Sequence, residues 1–445
     1  MAAGKILYKS LYWKILQFLT AFIINIVLAR ALQSTISADF YTLVYLFSLG
    51  ISFFTLGLDI SLNYYLSRKE ISPGTARRII LCIIALALLI CLSLLWIFYP
   101  FDNYHPAVPL PWLLFFAGFN IAGGLLTTLS GTLFTTYGQN HLIGKVGFFV
   151  NMVVLVCCVI ISYVDSGPVL VISLFWVYFL FSFLQGLFLF ILSMRLYSSR
   201  SLQSPIPLPL TTTATAEIPT STVTPLHILR FSFTAFLINF IFFAGTRFCI
   251  YLIPYRLTLS DQGNYIQAYK IVEYMSLVIS IIYYPFIALV AGEGGEKMKS
   301  RVLLLVRISN TFVLISGIFI LAIGGWLFPF VFGRSFDRMY GIFTGFLPGL
   351  FAVCSSTFFT AYYFGSGQMK YNFISACIQF ACMPLFFFLF VRNGSATGAA
   401  FAFSVAVFGS LLYDLLVFRR VHPFAARDIL VVNKKDWDTI RMLMR

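Results

Sequence analysis

Residues Ile79–Tyr99 carry no charged side chain. At about 1.5 Å per residue, such a run crosses the ~30 Å hydrocarbon core of a bilayer as a single helix. Apolar runs of this kind recur along the whole chain. Inside hydrocarbon every backbone N–H and C=O must be paired within the protein, so only helix bundles and closed barrels span it. Barrel strands alternate polar and apolar residues, whereas these runs are continuous. Composition agrees: 60% of residues are hydrophobic and 10% charged, and the mean hydropathy of +0.92 is out of range for a water-soluble globule. The expectation is an all-α polytopic membrane protein.

Hydropathy places spans at residues 11–32, 40–66, 79–100, 111–137, 146–164, 169–194, 229–254, 264–291, 302–326, 341–364, 371–391 and 397–418, about twelve transmembrane helices in all. The first is introduced by Lys5, Lys9 and Lys14, but its length and lack of a small-residue cleavage site predict a retained helix rather than a signal peptide. Lys and Arg concentrate on the cytoplasmic side of membrane proteins. With the N-terminus inside, Arg68, Lys69, Arg77, Arg78, Lys145, Arg195, Arg200, Arg230, Lys297, Lys299, Arg301, Arg307, Lys370 and a basic tail from Arg419 to Arg445 fall on one side. Only Arg30, Arg256, Arg334, Arg338 and Arg392 fall on the other. Both termini are therefore expected in the cytoplasm. The formal charge of +15 follows from this topology and from attraction to anionic membrane lipids, with no nucleic acid as partner.

Between Arg195 and Arg230 the composition turns to Ser, Thr and Pro, as in Pro205-Ile206-Pro207-Leu208-Pro209 and Thr211-Thr212-Thr213. Such a stretch cannot build a core and reads as a flexible cytoplasmic linker. The expected organisation is a six-helix bundle over 1–194, a linker over 195–228, a second six-helix bundle over 229–418 and a basic cytoplasmic tail over 419–445. An even number of spans per half makes the halves parallel, as repeats about an axis along the membrane normal would be. Asp39-Phe40-Tyr41 and Asp261-Gln262-Gly263 open the second helix of each half, each after a helix with an Asn, Asn25 or Asn239. Within the tenth span Gly341, Gly345 and Gly349 recur every four residues as a small face for close helix packing. Pro285, Pro348 and Pro384 interrupt their helices.

Catalytic and cofactor signatures are absent. The eight cysteines, including the adjacent Cys157 and Cys158, all lie in spans, where they behave as small apolar residues, and show no disulfide or zinc spacing. Gly138 to Lys145 has five residues between its glycines and ends in Val146, which rejects a nucleotide-binding loop. The four histidines are expected in loops. The expectation is no enzyme, no cofactor and no metal site.

The remaining signal is charge inside spans, where burial without a partner costs several kcal/mol and a functional role is the default reading. Arg247 lies nine residues before Arg256, about 13 Å along its helix, beyond full recovery by snorkelling. A cavity-facing anion contact, a structural ion pair and a snorkelling anchor are its three readings. Lys270 and Glu273 sit three apart in the next span and can neutralise one another. Asp59 and Asp414 come near span ends; with Arg419 and Arg420 close by, Asp414 reads as an ordinary interfacial residue. Arg30, Asn25 and Asn239 complete the set of candidate cavity residues.

The run Asn25-Ile26-Val27-Leu28-Ala29-Arg30-Ala31-Leu32, followed by Asp39-Phe40-Tyr41 and Gly57-Leu58-Asp59, resembles the first two helices of Wzx-type polysaccharide flippases, members of the multidrug, oligosaccharidyl-lipid and polysaccharide (MOP) exporter superfamily. Phe332-Gly333-Arg334-Ser335-Phe336, Leu347-Pro348-Gly349, Tyr363 through Gly367 and Gly398-Ala399-Ala400 resemble its tenth to twelfth helices. The resemblance implies a MATE-like pair of six-helix bundles in the bacterial cytoplasmic (inner) membrane, alternating between inward-open and outward-open states. Its implied cargo is an undecaprenyl-diphosphate-linked oligosaccharide, with glycan polymerase machinery as a partner and H+ or Na+ as a coupling ion. Arg247 and Lys270 would meet the diphosphate, and Tyr251, Tyr265, Tyr269 and Tyr274 would stack on sugars. An ion-coupled drug antiporter of the same fold is the alternative. A glycan polymerase or ligase is disfavoured, because the long loop is the cytoplasmic linker rather than a periplasmic one.

Overall fold

The computed structural model describes residues 2–67, 70–98, 109–164, 167–197, 225–280, 296–391 and 394–425, with positions 283, 286, 287, 290 and 429. Most of the expected linker, Pro285 and most of the basic tail lie outside the described residues. Twelve α-helices and two short 3-10 turns account for the described chain. They are α1 (Ala2–Thr55), α2 (Leu58–Ser67), α3 (Pro73–Phe98), α4 (Leu110–Thr136), α5 (Asn140–Val164) and α6 (Gly167–Leu196), then α7 (Pro225–Leu252), α8 (Leu259–Ser280), α9 (Glu296–Phe332), α10 (Met339–Gly365), α11 (Met369–Phe390) and α12 (Ala396–Val421).

Ten of these helices are long and apolar enough to cross a membrane. The chain is an all-α polytopic membrane protein. Large apolar side chains point outward along its helices, among them Leu89, Trp96, Ile315, Trp326 and Leu385, as lipid contact requires and water would penalise.

Helix boundaries depart from the hydropathy reading at the start. The first two expected spans form one 54-residue element, which as a straight helix would run about 81 Å, far beyond the ~30 Å core. Gln33 relieves the mismatch, leaving the helical region with φ 55° and ψ 180° between the two expected spans. A second break follows at Leu56 and Gly57, both at positive φ. A Cβ on Gly57 would lie 2.5 Å from the Ser232 carbonyl oxygen of α7, so glycine serves both the left-handed turn and the close approach.

The chain divides into two compact units, one taking the described residues up to Phe243 and the other those from Ala244. The division thus falls within α7 rather than ahead of it. In the first unit α4 is central, packing on α3, α6 and the α1–α2 segment, while α5 packs on α1 and α6. In the second, α10 is central and packs on α8, α9 and α12, with α11 against α12. The pairings α3–α4, α4–α6 and α5–α6 recur six helices later as α9–α10, α10–α12 and α11–α12, the pattern that an internal repeat produces.

The glycine face of α10 is used in part. A Cβ on Gly349 would come within 2.7 Å of Ser404 Oγ, and one on Gly345 within 3.1 Å of Ala400 Cβ, both on α12. Ser404 bridges the approach, donating from Oγ to the Gly345 carbonyl at 2.6 Å and accepting from the Gly349 N–H at 2.9 Å. Gly341 meets nothing within 4 Å. Pro348 and Pro384 lie inside α10 and α11 as expected, and Pro329 lies inside α9. All eight cysteines are free thiols. The histidines differ from expectation: His141 occupies the first turn of α5, and His422 is buried just after α12, 3.0 Å from Tyr362 Oη. Arg307, expected at the cytoplasmic edge, is buried within α9.

Candidate functional site

The second unit holds a polar helix. Most spans are apolar all round, but α8 carries Asp261, Gln262, Asn264, Gln267, Lys270 and Glu273 in one run. Its residues 261–269 are all buried. Thr258 caps this helix: its Oγ1 accepts the Asp261 N–H at 3.2 Å and donates to Asp261 Oδ2 at 2.8 Å. Arg338, ahead of α10, donates from Nη1 to Asp261 Oδ1 at 2.6 Å. The start of α8 is thereby fixed, and the register that carries Lys270 and Glu273 inward follows from it.

Arg247, on the part of α7 within this unit, donates from Nη2 to Glu273 Oε1 at 2.7 Å, and both side chains remain 22% exposed. Its Nη1 lies 3.3 Å from Thr246 Oγ1. Glu273 therefore pairs across helices with Arg247. Lys270 lies within electrostatic reach of both, so two basic side chains and one carboxylate lie together here among the described residues. Tyr251 flanks the pair. Neither side chain is fully buried, so the pair is only partly withdrawn from solvent.

The aromatic expectation is corrected in part. Tyr265 and Tyr269 are buried core residues, with ring centroids 5.1 and 5.7 Å from that of Phe346, and Tyr269 also meets Phe403 at 5.6 Å. Their faces are taken by other rings rather than free for sugars. Tyr251 and Tyr274 remain half-buried.

The other candidates lie in the first unit. Asn25 is buried in α1, its Oδ1 accepting from Tyr41 Oη at 2.5 Å, a bond that ties together the two segments on either side of the Gln33 break. Arg30 is exposed on α1 and Asn239 exposed on α7. Asp59 stands in the first turn of α2, half-buried, with Oδ1 lacking a hydrogen-bond partner. Of the seven candidates, Arg247, Lys270 and Glu273 are brought together within the second unit. Among the described residues no group of His, Cys, Asp and Glu could hold a metal ion in the manner of a three-ligand site.

Sequence reading underrated Asp414. Rather than meeting water beside Arg419 and Arg420, it is 1% exposed on α12, while those arginines are exposed. The helical period carries it to the opposite face, among α10 and α11.

No protein-family model matches the chain, and no curated protein matches it by sequence. Solved structures do match in fold. An inward-facing multidrug resistance MATE family transporter of the MOP superfamily aligns with a TM-score of 0.69 at 14% identity, over 92% of this chain and 96% of that one. A MOP superfamily transporter from Pyrococcus furiosus, described by a binding pocket of reversed polarity, aligns at 0.68 and 11% identity over 95% and 96%. The lipid II flippase MurJ aligns at 0.62 and 14% identity over 99% and 91%. The chain has the fold of the MOP superfamily transporters.

Proposed function

We propose that the chain is a flippase that carries an undecaprenyl-diphosphate-linked oligosaccharide, a unit of O-antigen, capsule or exopolysaccharide, across the bacterial cytoplasmic membrane by alternating access. The observation that carries this reading is the cationic set on α7 and α8, in which Arg247 and Lys270 outnumber Glu273 beside Tyr251. A diphosphate with attached sugars cannot enter hydrocarbon unaided, and it needs cations and hydrogen-bond donors while its lipid tail stays in the bilayer. Arg offers a planar fork suited to phosphate oxygens. That a lipid II flippase shares the fold supports the cargo class.

The second reading is an ion-coupled multidrug antiporter, favoured by the MATE transporters of the same fold. Cationic drugs would meet two basic side chains and one carboxylate here, which places this reading second.

Arg247→Ala decides between them. A diphosphate contact predicts loss of surface glycan with the protein at wild-type abundance in the membrane, and partial activity in Arg247→Lys, which keeps the charge but loses the fork. Normal glycan export by Arg247→Ala at normal abundance overturns the reading. Depletion of the alanine variant, with abundance and export both restored by Arg247→Ala combined with Glu273→Gln, assigns the arginine to structure alone. Drug sensitivity on deletion, with surface glycan intact, supports the antiporter.

A further inference from the structure

The N-terminal part of α1 and the first two turns of α5 bring basic side chains to one end of the first unit. Lys9 and Lys145 are exposed there, and Lys14 and His141 are half-buried. His141 lies within electrostatic reach of Lys9 and of Lys145, and Lys145 Nζ stands 5.9 Å from the centroid of the Trp13 ring. Close helix contact builds the cluster. A Cβ on Gly144 would lie 3.0 Å from the Lys14 backbone nitrogen, and one on Gly147 would collide with Gln17 Nε2. Farther along, Asn151 Nδ2 donates to the Gln17 carbonyl at 3.2 Å and reaches Thr20 Oγ1 at 3.4 Å. The two helices therefore run side by side in the same direction, with their basic ends together.

No acid of these helices answers the cluster. The helices packed on α5 are α1, α4 and α6. Neither α5 nor α4 nor α6 contains an Asp or a Glu, and α1 has none before Asp39. Among the described residues none of the three lysines forms an ion pair. Lysines gathered without a counter-charge repel one another, and an anion from outside the protein relieves that repulsion.

Each exposed lysine heads an exposed apolar stripe. Tyr12, Leu19 and Ile23 follow Lys9 along α1, and Phe149, Val153 and Val156 follow Lys145 along α5, at the spacing of one helix face. Trp13 sits where the two helices meet, its ring centroid 5.8 Å from that of Phe148 and 6.0 Å from that of Phe149. An indole between basic groups and apolar stripes holds the position that Trp takes at a membrane–water interface. A soluble anion would use the basic groups alone, whereas the stripes add a surface for acyl chains. We infer that Lys9, Lys14, His141 and Lys145 hold the phosphate of an anionic phospholipid whose acyl chains lie along the exposed stripes of α1 and α5. Basic groups at a membrane surface recognise such headgroups. The site lies wholly in the first unit and is independent of what cargo the protein carries.

The test is thermal unfolding of the purified full-length protein in detergent micelles, at constant pH and ionic strength, with added dioleoyl phosphatidylglycerol or dioleoyl phosphatidylcholine. The expected result is a saturable rise in Tm with phosphatidylglycerol alone. Combining Lys14→Gln with Lys145→Gln raises the half-saturating mole fraction of lipid about fivefold for each lysine removed. If that double variant does not accumulate, Lys9→Gln and Lys145→Gln, both at exposed positions, carry the test singly. Arg78 of α3 and Lys370 of α11 are exposed basic residues outside the cluster, and Arg78→Gln combined with Lys370→Gln leaves the half-saturating fraction unchanged. Equal weakening in that control pair overturns the proposal and assigns the effect to diffuse surface charge. An equal rise with phosphatidylcholine, no rise with either lipid, or the same rise with inorganic phosphate overturns it as well.

Discussion

Arg247 of α7 and Glu273 of α8 meet at 2.7 Å, Nη2 to Oε1, while both keep 22% of their side-chain surface exposed. A pair in this state has two consequences: it lowers the cost of holding a guanidinium at depth, and it keeps part of that charged surface exposed.

Neutralising the acid separates these consequences. In Glu273→Gln the arginine keeps a neutral hydrogen-bonding neighbour and the site gains one positive charge. If the cargo is a diphosphate, export in Glu273→Gln stays within about threefold of wild type while Arg247→Ala loses about tenfold or more, the scale on which truncating a charge-paired contact acts. Surface glycan measured per unit of membrane protein checks both.

Thr258 tests the anchoring of α8. Its hydroxyl both accepts from and donates to Asp261, so Thr258→Ala should cost about 1 kcal/mol of stability, the usual worth of an N-cap. Arg338, 66% exposed, should lower Tm far less on replacement by alanine, since exposed ion pairs are weak. Thermal unfolding of the two variants side by side gives the comparison.

The glycines of α10 offer a graded series. Gly349→Ala sets a methyl 2.7 Å from Ser404 Oγ and 2.9 Å from Ser404 Cα, an overlap that should cost about 1–3 kcal/mol. Gly341→Ala adds a methyl to open space and should leave stability unchanged or slightly higher through helix propensity. Equal behaviour of the two in membrane abundance and Tm would contradict the packing of α10 on α12.

Topology follows from charge placement. Alkaline phosphatase fused at Ser204 or after Arg445 should be inactive and a cytoplasmic reporter at the same points active. Removing about ten residues from Pro207 onward should leave glycan export intact, because a Ser, Thr and Pro stretch buries little.

Hydropathy alone delimits nearly all of the helices, because each span must satisfy its own backbone in hydrocarbon and so carries its signal locally. The exceptions are instructive. The boundary between the first two spans is a backbone event at Gln33, a residue with no turn preference to announce it. The polar helix α8 was read as part of a span at 264–291, yet its polar side chains keep it out of the ten helices apolar enough to cross a membrane by composition.

By itself the sequence determined that this is a bundle of membrane helices, with an interruption near its middle and deep charges at Arg247, Lys270 and Glu273. Tertiary structure decided who meets whom. Glu273 stands three residues from Lys270 and twenty-six from Arg247, yet its 2.7 Å bond is with the arginine. Asp414 is five residues from Arg419 but faces Ser356 and Ser375. Gly349 lies against Ser404 while Gly341, on the same stripe, lies against nothing. The physical reason is common to all three: a sequence specifies the period of a helix, but only the packing of several helices selects which of its faces is buried and against which partner.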